Sequence, residues 1–258
     1  MIRNKLLIFL FLPVFFSIDK AIAEEQKAVF FGHLLTPTTY VPRKKTFTAG
    51  SHILGYSLND SLLVGTSSFL ALFYNSPNLF LKYGRKYNEE SRWAIQFDYL
   101  KSSNTDLVES GSKYEMEALM LWGIWSKDVN KIYSIHYSLS YMYFINEGQP
   151  HSLRREPFND QPFQFSLTTL HEVKITERYG IAGEVGILGL NYSLPNLHAG
   201  LSFRYIRKRF SIQAGISVDR HLWGTSKARD YASKNQILDL SHTTSVLTHP
   251  EMSFQYFF

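Results

Sequence analysis

The chain has 258 residues, no Cys and a formal charge of +5, and 45% of its residues are hydrophobic. Without Cys it has neither disulfides nor thiolate metal sites, and so weak a charge balance does not argue for nucleic acid. Aromatic residues make up 16%, with 16 Tyr and 20 Phe, a heavy load for a chain whose mean hydropathy is −0.16.

Met1–Ala23 reads as a targeting segment. Arg3 and Lys5 precede the apolar run Leu6–Phe16, and Ala21-Ile22-Ala23 is a small-x-small cleavage site. Its removal leaves 24–258, with a charge near +3. The apolar run is short for a spanning helix, and no later stretch offers about 20 consecutive apolar residues.

Strand patterns fill the rest. Lys27–Leu35 reads as the first. Phe47–Leu58, Leu62–Leu72 and Asn78–Lys86 have strand composition without a clear outer face. Arg92–Leu100 alternates cleanly, with Trp93, Ile95, Phe97 and Tyr99 against Arg92, Gln96 and Asp98. Tyr114–Ile124 sets Tyr114, Met116, Ala118, Met120, Trp122 and Ile124 against Glu115, Glu117 and Gly123. Ile132–Ile145 sets a row of Tyr, Ile and Leu against Ser134, His136, Ser138 and Ser140. In Gln164–Lys174, Phe165, Leu167 and Val173 point outward. Ile181–Tyr192 places Ile181, Val185 and Ile187 opposite Glu184. Leu197–Tyr205 and Phe210–Val218 alternate apolar residues with His198, Ser202, Arg204, Ser211, Gln213 and Ser217.

The last strand is Glu251–Phe258, with Met252, Phe254, Tyr256 and Phe258 on one face and Glu251, Ser253 and Gln255 on the other. Tight links (Asn59-Asp60, Tyr87–Ser91, Lys127–Lys131, Glu177–Gly180, Arg207–Arg209) interleave with mostly longer ones (Pro37–Thr46, Ser103–Ser112, Glu147–Gln161, Leu222–Pro250) and two short ones, Asn75–Pro77 and Ser193–Asn196. This spacing predicts an all-β, antiparallel up-and-down barrel of twelve strands, or ten to fourteen if Ile237–Leu247 joins a hairpin.

A leader, long amphipathic strands, interleaved loops and a terminal Phe together resemble the bacterial outer-membrane β-barrel proteins. The resemblance implies tight turns in the periplasm and outer-membrane lipids as partners. It also implies an assembly signal in Phe254, Tyr256 and Phe258 that the barrel insertion machinery reads. Trp93, Tyr133, Tyr205, Phe210 and Phe258 then fall at the periplasmic interface, and Tyr99, Tyr114, Tyr143 and Phe163 at the outer one, depths that amphipathic rings favour.

Charges expected to face the lumen are Lys82, Arg92, Asp98, Glu115, Glu117, Glu172, Lys174, Glu184, Arg204, Asp219 and Glu251, a mixed set that does not select strongly for either sign. His136 and Ser138 share a face as a base–nucleophile pair would, but same-face neighbours lie roughly 7 Å apart. The nine His show no zinc spacing, and no phosphate loop or other cofactor motif is present. Arg43-Lys44-Lys45 and Arg154-Arg155 fall in expected surface loops, where lipid phosphates are within reach. The expectation is a non-enzymatic, porin-like small pore or structural protein of the cell envelope. The rivals are a lipid-modifying barrel enzyme, and a surface-binding barrel using Glu147–Gln161 and Leu222–Pro250.

Overall fold

In the computed structural model the chain forms a closed antiparallel barrel of twelve strands, each hydrogen-bonded to its sequence neighbours, with the first pairing the last. The structure describes residues 32, 36–51, 53–68, 71, 77–104, 114–147, 163–191, 195–221 and 247–258. The expected leader, Met1–Ala23, lies outside them.

The strands are β1 (Phe47–Gly50), β2 (Ile53–Asn59), β3 (Leu62–Ser67), β4 (Asn78–Lys86), β5 (Ser91–Asn104), β6 (Tyr114–Asp128), β7 (Tyr133–Glu147), β8 (Phe163–Lys174), β9 (Tyr179–Leu188), β10 (Asn196–Arg207), β11 (Phe210–His221) and β12 (Leu247–Phe257). Five tight turns share one end with the C-terminus, here the turn end. Asparagine and threonine side chains build four of them. Asn59, Asn88 and Asn130 Oδ1 and Thr176 Oγ1 accept from backbone N–H groups two or three residues on, which closes a turn without strain. The opposite end is the loop end.

The strand number agrees with the sequence reading, but its partition does not. Phe47–Leu58 is two strands, β1 and β2, with the chain reversing after Gly50. A Cβ on Gly50 would lie 1.9 Å from the Phe254 carbonyl oxygen, so only glycine fits. The Gln255 side chain then grips the backbone of Ile53 at both O and N, at 2.6 and 3.2 Å. Of the expected first strand, Lys27–Leu35, only Gly32 is described. It makes an isolated bridge with Pro37 and joins no barrel strand.

The barrel is apolar outside and polar within. Thirty-one large apolar side chains are exposed among the described residues, while only eight hydrophobic residues are buried. A water-exposed surface rarely carries so continuous an apolar band. Outward rings form a belt near the turn end. Tyr83 packs on Trp93, Tyr87 on Trp125, Tyr179 on Tyr205, Tyr205 on Phe210 and Phe47 on Phe258.

β5, β7, β8, β10 and β11 face as their alternation predicts. β6 faces the other way. Ala118 and Ile124 are buried and Trp122 points inward to Asp98, whereas Leu121 and Trp125 are exposed. Both faces of β6 carry large apolar groups, so the period was visible but its phase was not.

Candidate functional site

The site that this fold builds is the lumen near the turn end, and the chain's own residues 36–46 run through it. The sequence placed Pro37–Thr46 in a surface loop. Instead Thr36, Thr38, Thr39 and Pro42 are buried between opposite walls. The extended backbone sends successive side chains to opposite sides. Val41 packs on an apolar patch of Leu63, Phe80 and Phe257. Tyr40 contacts the polar wall, with its ring edge-on to His136 at 5.6 Å and the Arg92 guanidinium 5.4 Å above its face. The Tyr40 hydroxyl donates to Asp128 at 3.5 Å. Burial, and then the Glu172 and Asp128 charges, hold this phenol well above its ordinary pKa, so it remains a donor.

The floor of the plug is Gly84 on β4. A Cβ there would sit 2.7 Å from the Thr39 carbonyl oxygen and 3.2 Å from Val41 Cγ2, so the wall must be bare for the backbone to lie this close. The segment leaves at the turn end, where Lys45 N–H donates to the Ser57 carbonyl and Ser57 N–H donates back to that of Thr46. Arg43-Lys44-Lys45 therefore emerges exposed beside the β2–β3 turn, with Lys44 N–H on Asp60 Oδ1 at 2.8 Å, and not among the long loops.

Four wall residues form a chain under the plug. Thr39 N–H donates to Ser126 Oγ at 3.3 Å. Ser126 Oγ lies 2.6 Å from His136 Nδ1, and His136 Nε2 lies 3.5 Å from Glu172 Oε2. Glu172 Oε1 pairs with Arg204 Nη1 at 2.7 Å. All four wall side chains are buried. A carboxylate on the Nε2 side favours the proton there, which leaves Nδ1 to accept from the Ser126 hydroxyl. His136 thus meets a serine, but it is Ser126, its cross-strand partner, and not Ser138. Ser138 Oγ has no hydrogen-bond partner among the described residues.

The other expected lumen residues divide clearly. Glu184 faces inward and binds His198 Nε2 at 2.6 Å, both buried. Asp98 accepts from Gln96 at 2.9 Å and from Trp122 Nε1 at 2.5 Å. Lys82 is buried on the neighbouring strand. Arg92 is half-buried under Tyr40, and Lys174 is half-buried at the turn end. Glu117 is a correction. It lies on the outer face with Leu121 and accepts from the outward Tyr99 hydroxyl at 2.7 Å. Glu115, Asp219 and Glu251 lie in strands, but their side chains are outside those described.

Reasoning from sequence missed Phe257. It sits on the polar side of the closing strand's alternation, yet it is fully buried against Val41's patch. It missed Ser126 and the plug as well. Register is the missing link, because nothing local in sequence says that residue 39 meets residue 126. Of the assembly residues, Phe254 is exposed and Tyr256 and Phe258 are half-buried on the outer face, where their rings lie 4.6 Å apart.

Among the described residues no group of three or more His, Asp or Glu could hold a metal, and no helix is long and apolar enough to cross a membrane. No protein-family model matches the chain, and no curated protein does either.

Proposed function

We propose that this chain is an integral barrel of a bacterial outer membrane that serves as a sealed structural element, with its own residues 36–46 closing the lumen. The carrying observation is the plug itself. It bridges the apolar patch at Leu63, Phe80 and Phe257 and the polar chain at Ser126 and His136. The outward apolar band and aromatic belt support the membrane reading, because interfacial rings and an apolar outside are what a bilayer solvates. A closed ladder also satisfies every strand's backbone without water. In this reading the turn end faces the periplasm, and 1–23 is the export leader.

The plug separates the two halves of the expected role. An open pore needs a continuous water path, yet Ser134, His136, Thr168, Glu172, Ser202 and Ser217 are buried although they face the lumen. The test has two arms. The mature chain should fractionate with outer membranes and resist a salt wash. In planar bilayers the parent should give no steady conductance, whereas a variant with Thr39, Tyr40 and Val41 replaced by Gly, Ser and Gly should give long-lived openings. Steady conductance by the parent would overturn the sealed reading.

An enzymatic reading would use Ser126, His136 and Glu172 as nucleophile, base and orienter. The chain is buried, and Thr39 N–H already occupies Ser126 Oγ. We therefore assign these residues to seating the plug. Labelling of Ser126 by a serine-directed fluorophosphonate in the folded protein would reverse that assignment.

A further inference from the structure

Charge is distributed unevenly along the chain. The turn-end segments 43–46, 59–61, 85–91, 127–132, 174–179 and 207–210 hold twelve Lys/Arg against five Asp/Glu. The rest of 24–258 holds twelve against sixteen. The turn end is therefore the basic pole of a chain whose remainder is acidic.

Five of these cations repeat one arrangement. Each lies two residues beyond an outward belt aromatic, on its turn-end side. Arg85 follows Tyr83, Lys127 follows Trp125 and Arg207 follows Tyr205 on descending strands. Lys131 precedes Tyr133 and Lys208 precedes Phe210 on ascending ones. A two-residue step keeps a strand residue on the same face. Arg85, Lys127 and Arg207 thus point outward directly below their rings, and Arg85 also pairs in register with Trp93. All five cations are exposed. None makes a salt bridge among the described residues. The result is a partial collar of cations, on β4 and at the β6–β7 and β10–β11 hairpins, that borders the apolar band at the depth where aromatic side chains mark an interface. At the corresponding positions β5 carries Ser91, and Glu177 precedes β9.

We propose that this collar binds the phosphate groups of anionic phospholipids in the leaflet at the turn end. The inference rests on the membrane reading above. Its chemistry is specific to that position. A cation just outside an aromatic belt reaches headgroup phosphate while its aliphatic stem covers the band's edge. Each Lys or Arg near an anionic surface adds attraction that falls off within a Debye length. A soluble acidic partner would not require these cations to sit two residues from belt aromatics, as they do on β4 and at the β6–β7 and β10–β11 hairpins.

Trp93 and Trp125 lie in the belt and report directly on the collar's lipids. The refolded full-length mature protein is placed in phosphatidylcholine vesicles that contain either brominated phosphatidylglycerol or brominated phosphatidylcholine at equal mole fraction. A Trp93→Phe/Trp125→Phe variant supplies the background of the other tryptophans. We expect the anionic quencher to act at a mole fraction about fivefold lower, with the preference lost in about 1 M salt. Replacing Arg85, Lys127, Lys131, Arg207 and Lys208 with Gln should bring the two lipids to parity while quenching itself persists. Parity in the parent overturns the collar and leaves membrane insertion standing. A preference retained by the Gln variant also overturns it. Quenching by neither lipid overturns the membrane reading and the collar with it. If the Gln variant does not refold, parity or preference in the parent and its salt dependence decide the matter.

Discussion

The wall has two unlike arcs. From β5 to β11 the strands run 10 to 15 residues, and their inner face is mainly polar, with Ser126, His136, Glu172, Glu184 and Arg204 beside a smaller apolar set that includes Ile124, Leu170 and Ala182. From β1 to β4 they run 4 to 9 residues, and their inner face includes Leu63 and Phe80, which Phe257 of β12 joins. The plug accounts for the difference. Thr39 and Tyr40 present polar groups to the long arc, where the Tyr40 ring also packs on Leu170 and Ala182, and Val41 presents an apolar one to the short arc. Each arc's inner face answers the side of the plug it meets. An inner surface that looks like generic lumen lining is thus half of a specific interface with a segment of the same chain.

The largest expected effects separate the arcs by the kind of loss. Glu172→Ala removes a buried ion-pair partner of the Arg204 guanidinium and should cost about 3–5 kcal/mol. Phe257→Ala empties a packed site and should cost a similar ~3–5 kcal/mol. The comparison sharpens with second changes. Adding Arg204→Met to the Glu172 variant should recover part of the loss, because the double change removes both halves of the Glu172–Arg204 pair. Phe257→Ala has no such rescue, but replacing Val41 with Gly first should shrink its cost, since the two residues share contacts. Urea unfolding in detergent micelles measures all four. A cost below about 1 kcal/mol for Glu172→Ala would place the pair in the solvated class and undo the polar arc as described.

The next effects compare outside with inside. Leu201→Arg and Ile95→Arg put charge on the apolar band and should cost about 2–4 kcal/mol in lipid. Gln164→Arg, on a half-buried inward position of the long arc, should stay within about 0.5 kcal/mol. Ser202→Arg faces inward too, but Ser202 is buried and accepts from Gln213 Nε2 at 2.9 Å. Overpacking there should cost about 1–3 kcal/mol. If both inward sites tolerate Arg equally, the inside is open water and the sealed reading fails.

Smaller again is the test of the plug's floor. Gly84→Ala should cost about 1–3 kcal/mol, because the new methyl meets the Thr39 carbonyl and the backbone must shift. The chain has no Cys, so a single introduced thiol reports cleanly. Val41→Cys should resist maleimide in the parent background and react in the Gly84→Ala background. Equal protection in both would show that Gly84 does not position the plug.

The long arc apart from β6 was legible in sequence because its inner face is mainly polar and its outer face apolar, so alternation shows both period and phase. β7, β8, β10 and β11 were placed with the correct faces for that reason. The short arc was not. With Leu63 and Phe80 inside and Leu79, Leu81 and Tyr83 outside, the contrast between faces weakens. Gly50 hides a chain reversal within what reads as one strand, Phe47–Leu58. β6 failed by the same mechanism, with Trp122 and Ile124 inside against Leu121 and Trp125 outside. The outward placement of Glu117 follows from that inverted phase. His136, Glu172 and Arg204 were recognised as lumen residues, but their union with Ser126 and Thr39 needs register across distant strands and a chain passing through the middle. Neither leaves a local signature.

The smallest effect on the finished fold is expected at the seam where the arcs meet. Phe258 closes the barrel beside β1. Its N–H donates to the Phe47 carbonyl at 2.8 Å, and its ring lies 5.8 Å from that of Phe47 and 4.6 Å from that of Tyr256. Deleting it removes the backbone bond to Phe47 and the ring contacts with Phe47 and Tyr256, a loss of about 1–2 kcal/mol. Phe257 and Gln255 remain to hold the seam from within, through Val41's patch and Ile53. The variant should therefore refold in detergent and keep the gel-mobility difference between unheated and boiled samples. On the outer-membrane proposal β12 is recognised in cells before it pairs with β1, so there the effect should be larger. Outer-membrane levels should fall severalfold against the parent while in vitro stability barely moves. Equal losses in both settings would assign Phe258 to packing, and normal cellular levels would leave its terminal position without a role in assembly.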